Sequence, residues 1–434
     1  MDPTRKELVA DELKSLLSER ADRTGEPPIN YMMTRALENP DLISLAAGFV
    51  DYETLPVKEV AQVTAELLSD PESARAALQY GTTQGLESLR RKIVERLIET
   101  DGAGTEKPGY DVEHMTLATG SQQLLYLLAE VLLNAGDVAI IEHPSYWVFM
   151  GALKTSGVRC LTVPLDEEGM RADALAQRLR ALEDAGELGR LKLIYTMTYY
   201  QNPTGILISD KRRDELMEVI SSYSRKASFY VIEDAAYREL RYEGADIRSL
   251  RSRDEAGKTV CYLGTFSKPF SPGLRTGFGL LPERLMTPVL RFKGNHDFGS
   301  ANFDQHVVDR VMESDLFEKH VQELRNAYRV KCEAMLKAID EFMPAGFKAT
   351  RPQGGLYVWL TLSEGMETGP DSRLFEASVR DGVLYVPGEF FYPGDEEAPA
   401  ERNHLRLSFS VGSTDRIRQG IKRLAGAVRE VSKA

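Results

Sequence analysis

The stretch GTFSKPFSPGLRTGF, residues 264–278, carries the pattern that decides the fold. It overlaps the apolar run TVCYLGTF (259–266), which predicts a buried strand, and its serines, prolines and glycines predict a turn after that strand. Lys268 lies in this turn, seven residues before Arg275. Ligands of open α/β sheets bind beyond the carboxyl ends of the strands, so we expect the Lys268 amine at such a site. Taken alone, a loop lysine is more often a surface residue.

Six further short apolar runs alternate with segments of helical period between about residues 50 and 320. They are HMTLAT (114–119), VAIIE (138–142), VRCLTVPL (158–165), LKLIYTM (191–197), SFYVIED (228–234) and GFGLL (277–281). Near-continuous apolar runs are typical of strands that are buried on both faces. The pattern predicts an α/β fold whose large domain is built on a mainly parallel seven-stranded sheet.

The length of 434 residues indicates two domains. A charged segment of helical period, 315–342, follows the strand-rich block and could bridge them. The later runs GGLYVWLTL (354–362), GVLYVPG (382–388) and NHLRLSFS (403–410) predict a smaller α/β domain. We therefore predict an N-terminal arm and small-domain segment at residues 1–45, a large domain at 46–320 and a small C-terminal domain at 321–434.

The composition argues against several classes of protein. A net charge of −12 argues against a nucleic-acid or anionic-membrane partner. The three cysteines are scattered, which predicts neither a disulfide framework nor a metal site. The first residues lack the apolar core of a signal peptide, and no run approaches the roughly 18 apolar residues of a membrane span. We expect a cytoplasmic protein.

Polar residues follow the predicted strands at their carboxyl ends. Asp234 ends the run SFYVIED, Tyr237 follows it, and Lys268 comes 34 residues after Asp234. An isolated aspartate at this point would be interpreted as the cap of the next helix. The hydroxyls of Thr265 and Ser267, beside the Lys268 turn, are donors of the kind that a phosphate dianion requires.

Other strand ends carry further candidates. Asn202 stands in the turn YYQNPTG (199–205). Ser121 and Gln122 stand at the start of a predicted helix, where free amides and the helix dipole favour an anion, although Ser121 would also serve as a plain N-cap. Tyr146 follows a strand end and could equally be a core residue. Arg406 lies on a predicted strand, where a guanidinium that points inward needs an anion or a structural salt bridge.

Together these motifs resemble the class I/II aminotransferases of fold type I, which depend on pyridoxal 5′-phosphate (PLP). The resemblance covers roughly residues 40–410, in the order that the family has them. The segments ISLAAGFVDYETLP (43–56) and GVLYVPGEFFY (382–392), with the stretch 264–278, are most similar to the branch of 2-aminoadipate and kynurenine aminotransferases.

The resemblance implies roles for these residues. Lys268 would be the Schiff-base lysine and the general base, and Asp234 would pair with the pyridine nitrogen. Tyr237 and Asn202 would contact the phenolic oxygen of the cofactor. The phosphate would be held by Ser121, Gln122, Thr265, Ser267 and Arg275, and Tyr146 would stack on the ring.

The remaining implied contacts concern the substrate and a second subunit. Arg406 would bind the substrate α-carboxylate, with Asn202 and Gly48 beside it. Tyr80, in LQYGTTQG (78–85), would reach the phosphate of the neighbouring subunit, which implies a homodimer with sites at its interface.

The activity implied is transamination, in which an L-amino acid gives its amino group to a 2-oxo acid in a ping-pong sequence. Other PLP reactions on the same fold are alternatives, namely β-elimination, decarboxylation and oxidation, because these chemistries share the cofactor residues. A non-catalytic aminotransferase-like domain of a transcription regulator is less expected, because only about forty residues precede the resemblance. A pure scaffold is less expected still.

Substrate specificity is less clearly encoded. Phe49 could narrow the pocket towards small or apolar side chains, and Asp51 could accept a basic group or be an exposed turn residue. Arg23 and Arg35 could bind a second carboxylate or be ordinary surface arginines. The segment KGNHDFGSANFDQH (293–306) would line the partner's pocket. Further candidates near the substrate are His296, Asp297, Phe298, Tyr31 and Phe391.

Overall fold

The structure is a computed structural model that describes residues 16–26, 41–104, 107–394 and 399–433. Its α-helices are α1 (Glu19–Arg23), α2 (Val57–Ser69), α3 (Pro71–Leu78), α4 (Glu87–Thr100), α5 (Ser121–Leu132), α6 (Trp147–Ser156), α7 (Ala172–Asp184), α8 (Asp210–Ser224), α9 (Glu283–Asp297), α10 (Asn302–Glu313), α11 (Leu316–Phe342), α12 (Arg373–Arg380) and α13 (Thr414–Ser432). Its strands are β1 (Ile43–Ser44), β2 (Met115–Thr119), β3 (Val138–His143), β4 (Arg159–Asp166), β5 (Gly169–Met170), β6 (Leu191–Met197), β7 (Tyr230–Asp234), β8 (Val260–Thr265), β9 (Thr276–Leu280), β10 (Lys348–Ala349), β11 (Tyr357–Thr361), β12 (Val383–Leu384), β13 (Val386–Pro387) and β14 (His404–Ser408).

The large sheet has the order β2-β9-β8-β7-β6-β3-β4-β5. Strands β8, β7, β6, β3 and β4 pair in parallel, whereas β9 runs antiparallel between β8 and β2. The seven strands predicted from the apolar runs are all present, which confirms the mainly parallel α/β fold. The two-residue strand β5 extends the sheet by a short antiparallel pairing with β4, and its two residues are too few to give a sequence signal.

Several helices begin at a side chain that accepts a hydrogen bond from an amide of the first turn. The Arg212 amide donates to Ser209 Oγ at the start of α8, over 3.1 Å. Asp70 accepts from the Ser73 amide over 2.8 Å at the start of α3, where Pro71 is the first helical residue. These caps satisfy amides that have no partner inside the helix and fix where each helix begins.

A second sheet, of order β10-β11-β14-β13, lies later in the chain and is antiparallel. Strand β1, from the N-terminal part, pairs in parallel with β12, and the Ser408 amide donates to the Leu45 carbonyl over 2.7 Å. The segment around residues 43–50 therefore runs alongside this second sheet and reaches the edge of the large one. Within the described ranges, no helix combines the length and the apolar character that crossing a membrane requires.

Candidate active site

The carboxyl ends of β6, β7 and β8 meet the start of α5 and the start of β11 around a cavity of about 360 Å³. It is lined by Gly48, Phe49, Gly120, Ser121, Gln122, Leu125, Tyr146, Trp147, Val148, Met197, Asn202, Asp234, Ala236, Tyr237, Thr265, Ser267, Lys268, Pro272, Arg275, Tyr357 and Arg406. This is the edge at which open α/β sheets bind their ligands.

Lys268 lies in the turn after β8 and projects its amine into the cavity. Its Nζ donates to the Gly48 carbonyl over 2.9 Å and lies 6.0 Å from the centre of the Tyr237 ring. Burial lowers the pKa of Lys268 below its usual value, and the positive charges of Arg406 and Arg275 act in the same direction. A lysine in these surroundings is neutral more often than a surface lysine, which makes it a better nucleophile and base.

Asp234 ends β7 and faces the same cavity, with a side chain that is almost wholly buried. Its carboxylate accepts a hydrogen bond from the Tyr195 hydroxyl over 3.0 Å and another from the Ala236 amide over 3.1 Å. Burial raises the pKa of Asp234 to about 6 in spite of these two donors. No cation among the described residues pairs with this carboxylate, so it can accept a positively charged partner from the cavity.

Arg275 and the start of α5 form a cradle of donors. The Arg275 guanidinium lies 3.3 Å from Ser267 Oγ. A Cβ at Gly120 would lie 2.9 Å from Arg275 Nη2, and a Cβ at Gly277 would collide with the Ser121 amide. Both glycines therefore let the guanidinium and the helix amides approach one small volume, which has the donor set that a phosphate needs.

Two acceptor oxygens lie beside this cradle. Thr265 Oγ1 accepts from the Ser267 amide over 3.1 Å, which fixes the turn that precedes Lys268. Gln122 Oε1 is buried and has no hydrogen-bond partner among the described residues. Buried polar atoms are nearly always hydrogen-bonded, so the lone oxygen indicates that a ligand group belongs beside it.

Arg406 projects from β14 at the opposite side of the cavity and is 1% exposed. Its guanidinium donates to Asn202 Oδ1 and to the Ala46 carbonyl, both over 2.8 Å, while its Nε has no partner among the described residues. The rings of Trp147 and Tyr357 lie 4.9 and 4.2 Å from its Cζ. No carboxylate is hydrogen-bonded to this guanidinium within the described ranges, so it is available for an anionic group of a small molecule.

Of the predicted site residues, only Tyr80 lies outside this cavity. Tyr80 is 82% exposed and packs edge-on against Phe298, with ring centres 5.5 Å apart. All the others, from Gly48 to Arg406, line the one cavity.

Several residues of the site were not predicted, and four of them have polar or aromatic side chains that matter for its chemistry. Tyr357 and Trp147 line the cavity. The Tyr195 hydroxyl donates to Asp234, and Glu142 accepts from the Gln201 side chain in the turn that contains Asn202. Glu142 accepts from the Met197 amide over 2.9 Å, and burial raises its pKa to about 8. A polar side chain in an apolar strand was the available signal for Tyr195, Glu142 and Tyr357, because such a group must find a partner inside.

The specificity candidates have different positions. Phe49 lines the cavity mouth. Asp51 does not fit either expectation, because it is buried and forms an ion pair with Lys331 over 2.7 Å. Arg23 lies on α1, where it contacts Glu19 and the Thr155 carbonyl.

The remaining candidates that the structure describes do not line the cavity. Phe391 stacks on Trp147 from behind, with ring centres 4.8 Å apart. His296 and Asp297 contact the Gln123 side chain near Phe298, on the protein surface. Tyr31 and Arg35 lie outside the described residues.

Comparisons with known proteins agree with this geometry. The family model for aminotransferase class I and II matches residues 40–424. Aromatic-amino-acid aminotransferase 1 of Thermococcus litoralis is 37% identical over 401 residues, which cover 92% of this chain and 91% of that protein. The 2-aminoadipate transaminase of Thermus thermophilus is 32% identical over 400 residues and 92% of each chain.

Among solved structures, a kynurenine aminotransferase of Pyrococcus horikoshii in complex with PMP, KYN and KYA is 33% identical. The similarity covers 98% of this chain and 100% of that one, with a TM-score of 0.89. These relatives confirm the predicted branch. With the family model matching most of its length, the chain belongs to the class I and II aminotransferase family and is a PLP-dependent aminotransferase of fold type I.

Proposed function

We propose that the cavity between β7, β8 and β14 holds PLP and an L-amino acid, and that the predicted residues act there in the roles that the family resemblance implies. One observation carries this proposal. Three groups converge on one cavity of about 360 Å³: the Lys268 amine, the Asp234 carboxylate and the Arg406 guanidinium. Within the described ranges, neither Asp234 nor Arg406 forms an ion pair. The Lys268 amine can bond a carbonyl carbon, the Asp234 carboxylate can pair with a cation, and the Arg406 guanidinium can pair with a carboxylate.

The residues fit the cofactor in charge and in shape. A phosphate fits the cradle of Arg275, Ser267 and the first amides of α5. A protonated ring nitrogen fits Asp234, because a positive neighbour favours the carboxylate that burial otherwise disfavours. When bound, PLP supplies an electron sink and carries the amino group between the two half-reactions.

Lys268 is the base that moves the proton. Its amine is held 2.9 Å from the Gly48 carbonyl and is less basic than a surface lysine, so it can take a proton from the substrate Cα and would deliver it to the cofactor carbon that bonds the transferred nitrogen. Arg406, with Asn202 beside it, orients the substrate by its α-carboxylate. The aromatic rings of Trp147 and Tyr357 exclude water from the guanidinium and strengthen that ion pair.

We also propose that the preferred donors carry aromatic or other large apolar side chains. Among the described residues, the cavity lining contains no cation apart from Lys268, Arg275 and Arg406, and its wall includes Phe49, Leu125, Trp147, Val148 and Met197. Arg23, which could have received a second carboxylate, is engaged elsewhere. An aromatic-amino-acid aminotransferase among the relatives supports this choice.

A half-reaction screen tests these assignments. PLP-loaded protein is mixed with single L-amino acids while its visible absorbance is followed. Phenylalanine and leucine should abolish the visible band faster than glutamate or 2-aminoadipate, and a 2-oxo acid should restore it. Faster conversion by the acidic donors would contradict the donor proposal, and ammonia or carbon dioxide release without recovery of the band would contradict the assigned roles.

Lys268→Ala is the matched variant for the catalytic role. Its turnover should fall by about 10⁴-fold or more, because a general base contributes on that order. Lys92→Ala removes a lysine of α4 that pairs with Asp309 outside the cavity, and it should keep its turnover. Equal activities of the two variants would overturn the role of Lys268.

We propose a homodimer in which Tyr80 enters the cavity of the partner subunit. Tyr80 and Phe298 are 82% and 61% exposed, and Tyr126 contacts His296 next to them. An apolar patch beside a cavity mouth is typical of a surface that another chain covers.

Subunit mixing tests this arrangement. Tyr80→Phe should weaken PLP binding in the homodimer. In a hybrid with Lys268→Ala, one site combines an intact lysine with an intact tyrosine from the other subunit, so mixing should restore part of the activity. If Tyr80 acted within its own chain, no hybrid site would be intact and mixing would restore nothing.

The domain limits and the location are also proposals. The division into residues 1–45, 46–320 and 321–434 is supported by the separation of the two sheets, although α11 continues across residue 320. Limited proteolysis that cuts within either sheet before any cut elsewhere would contradict it. A cytoplasmic location is supported by the burial of Cys261 and Cys332 as thiols, and fractionation of the source cells would test it.

A further inference from the structure

The Tyr357 hydroxyl is a polar group of the cavity with no assigned role. Tyr357 begins β11 and is 2% exposed. Its oxygen lies 3.2 Å from the oxygen of Tyr237, and the two rings meet edge to face at 5.8 Å. This hydroxyl pair connects the antiparallel sheet to the loop after β7.

The position of the Tyr357 ring is fixed on two sides. A Cβ at Gly48 would lie only 2.5 Å from the Tyr357 oxygen, so the absence of a side chain there leaves room for the hydroxyl. On the other side, the ring lies over the Arg406 guanidinium, with 4.2 Å between the ring centre and Cζ. A phenylalanine would keep the cation–π contact and the packing, so the hydroxyl must be explained by what it bonds.

The hydrogens and lone pairs of the two hydroxyls determine which of them donates. A tyrosine hydroxyl has one hydrogen to donate and lone pairs to accept with. If Tyr237 donates its hydrogen to the phenolic oxygen of PLP, it can only accept from Tyr357. A hydroxyl that accepts one hydrogen bond becomes a stronger donor in the next, because the chain polarises.

We propose that Tyr357 is a positioning residue that donates to Tyr237 and thereby strengthens the hydrogen bond from Tyr237 to the phenolic oxygen of the cofactor. The inference rests on the role of Tyr237 under the proposed function. Within the described ranges, the other charged or titratable groups beside this pair are Lys268, Arg406, Tyr146 and Tyr328, and no carboxylate there is hydrogen-bonded to either hydroxyl.

The test is a pH titration of the visible band of the PLP-loaded protein, together with its PLP affinity. A weaker hydrogen bond leaves more negative charge on the phenolic oxygen, which favours the protonated chromophore. Tyr357→Phe should therefore raise the midpoint by about 0.3 to 1 pH unit, and Tyr237→Phe by about 1 unit or more. In the double variant, the Tyr357 substitution should add nothing to the shift of Tyr237→Phe.

Tyr385→Phe is the matched control. Tyr385 is as buried as Tyr357, and its hydroxyl donates to the Thr368 carbonyl over 2.9 Å, outside the cavity. Its midpoint should equal that of the wild type, even if its thermal stability falls as much as that of Tyr357→Phe. A general loss of rigidity would instead shift both variants.

The outcomes separate this inference from the proposed function. If the wild-type band titrates, and Tyr237→Phe shifts its midpoint while Tyr357→Phe does not, the proposed role of Tyr357 is wrong and the proposed function stands. If Tyr357→Phe shifts the midpoint equally with and without the Tyr237 hydroxyl, the proposed role of Tyr357 is wrong as well, because Tyr357 would then act without Tyr237. A wild-type protein with no titrating band would overturn both.

Discussion

Asp101 and Asp234 are both buried, and they differ in the groups that hydrogen-bond to them. Asp101, at the end of α4, accepts from Arg238 at 2.8 Å, from the Ser249 hydroxyl at 2.6 Å and from the Tyr110 hydroxyl at 2.7 Å. Among the described residues, Asp234 accepts only from one tyrosine hydroxyl and one amide.

The difference shows in the ionisation of the two carboxyls. Burial opposes the charge of Asp101, but Arg238, Ser249 and Tyr110 outweigh it and hold the pKa of Asp101 below its usual value. Burial of Asp234 is not offset, and its pKa rises to about 6. A buried acid with a full set of partners stabilises the fold, whereas one without a cation is prepared for a ligand.

The largest expected effect separates the two by activity. Asp234→Asn should lower kcat by about 10² to 10⁴-fold, because the ring nitrogen of the cofactor loses the acid that keeps it protonated. Asp101→Asn, measured at a temperature where the variant is folded, should keep kcat within a few-fold of the wild type. Steady-state kinetics with saturating PLP check both, and a similar loss in the two variants would remove the functional distinction.

For stability we expect the opposite order: substitution of Asp101 should destabilise the fold more than substitution of Asp234. Asp101→Asn leaves the buried guanidinium of Arg238 with Asp246 as its remaining ionic partner, which is itself partly exposed. We expect the free energy of unfolding to fall by about 3 kcal/mol or more. Urea unfolding monitored by circular dichroism measures it. A loss below about 1 kcal/mol would show that the network around Asp101 contributes little.

The sequence predicted the fold well because its strands are buried on both faces. Each of the seven runs contains enough apolar residues to be recognised, and the observed bounds differ from the predicted ones by at most two residues. Strand β5 was missed because pairing with β4, and not its own two residues, defines it. The same holds for β1, which exists through its pairing with β12.

The candidate site was predictable where several motifs follow one another in the order that the family has them, although each residue taken alone was ambiguous. Lys268, Asp234 and Arg406 are examples, and the structure places all three in the cavity. Asp51 was misjudged because its partner, Lys331, is 280 positions away in the chain. Tyr357 was missed for a similar reason, since its contact with Tyr237 exists only after two distant segments pack together.

The pH dependence of stability gives a third difference between the two aspartates. The pKa of Asp234 is about 6 in the folded protein and near its usual value of 3.8 when unfolded, so the folded state binds the proton more tightly. Stability is therefore lost as the pH rises from about 4 to about 6, and the loss persists above that. In the cofactor-free protein, Asp234→Asn should gain about 0.5 kcal/mol at pH 4 and about 3 kcal/mol at pH 7.

Urea unfolding of the cofactor-free proteins across this pH range checks the prediction. Asp101 provides the control of opposite sign, because its lowered pKa means that its contribution is present at neutral pH and is lost as the pH falls. The deficit of Asp101→Asn should shrink in acid. A pH-independent difference between Asp234→Asn and the wild type would show that this carboxyl is not destabilised by burial.

The smallest expected effects come from two tyrosine hydroxyls, one for each carboxyl. Tyr110 donates to Asp101 over 2.7 Å and Tyr195 to Asp234 over 3.0 Å. Replacing either by phenylalanine should lower the free energy of unfolding by about 1 to 3 kcal/mol at pH 7 in the cofactor-free protein, since a hydrogen bond to a charged group is lost.

The pH dependence of this loss should differ between the two variants. Asp101 remains ionised down to low pH, so the cost of Tyr110→Phe should be constant between pH 5 and 8. The cost of Tyr195→Phe should decrease as the pH falls through about 6, because Asp234 takes up a proton and the lost bond is then one to a neutral acid. Parallel pH profiles for the two variants would mean that Asp234 has the same ionisation as Asp101, and the difference between the two carboxyls would then be one of packing alone.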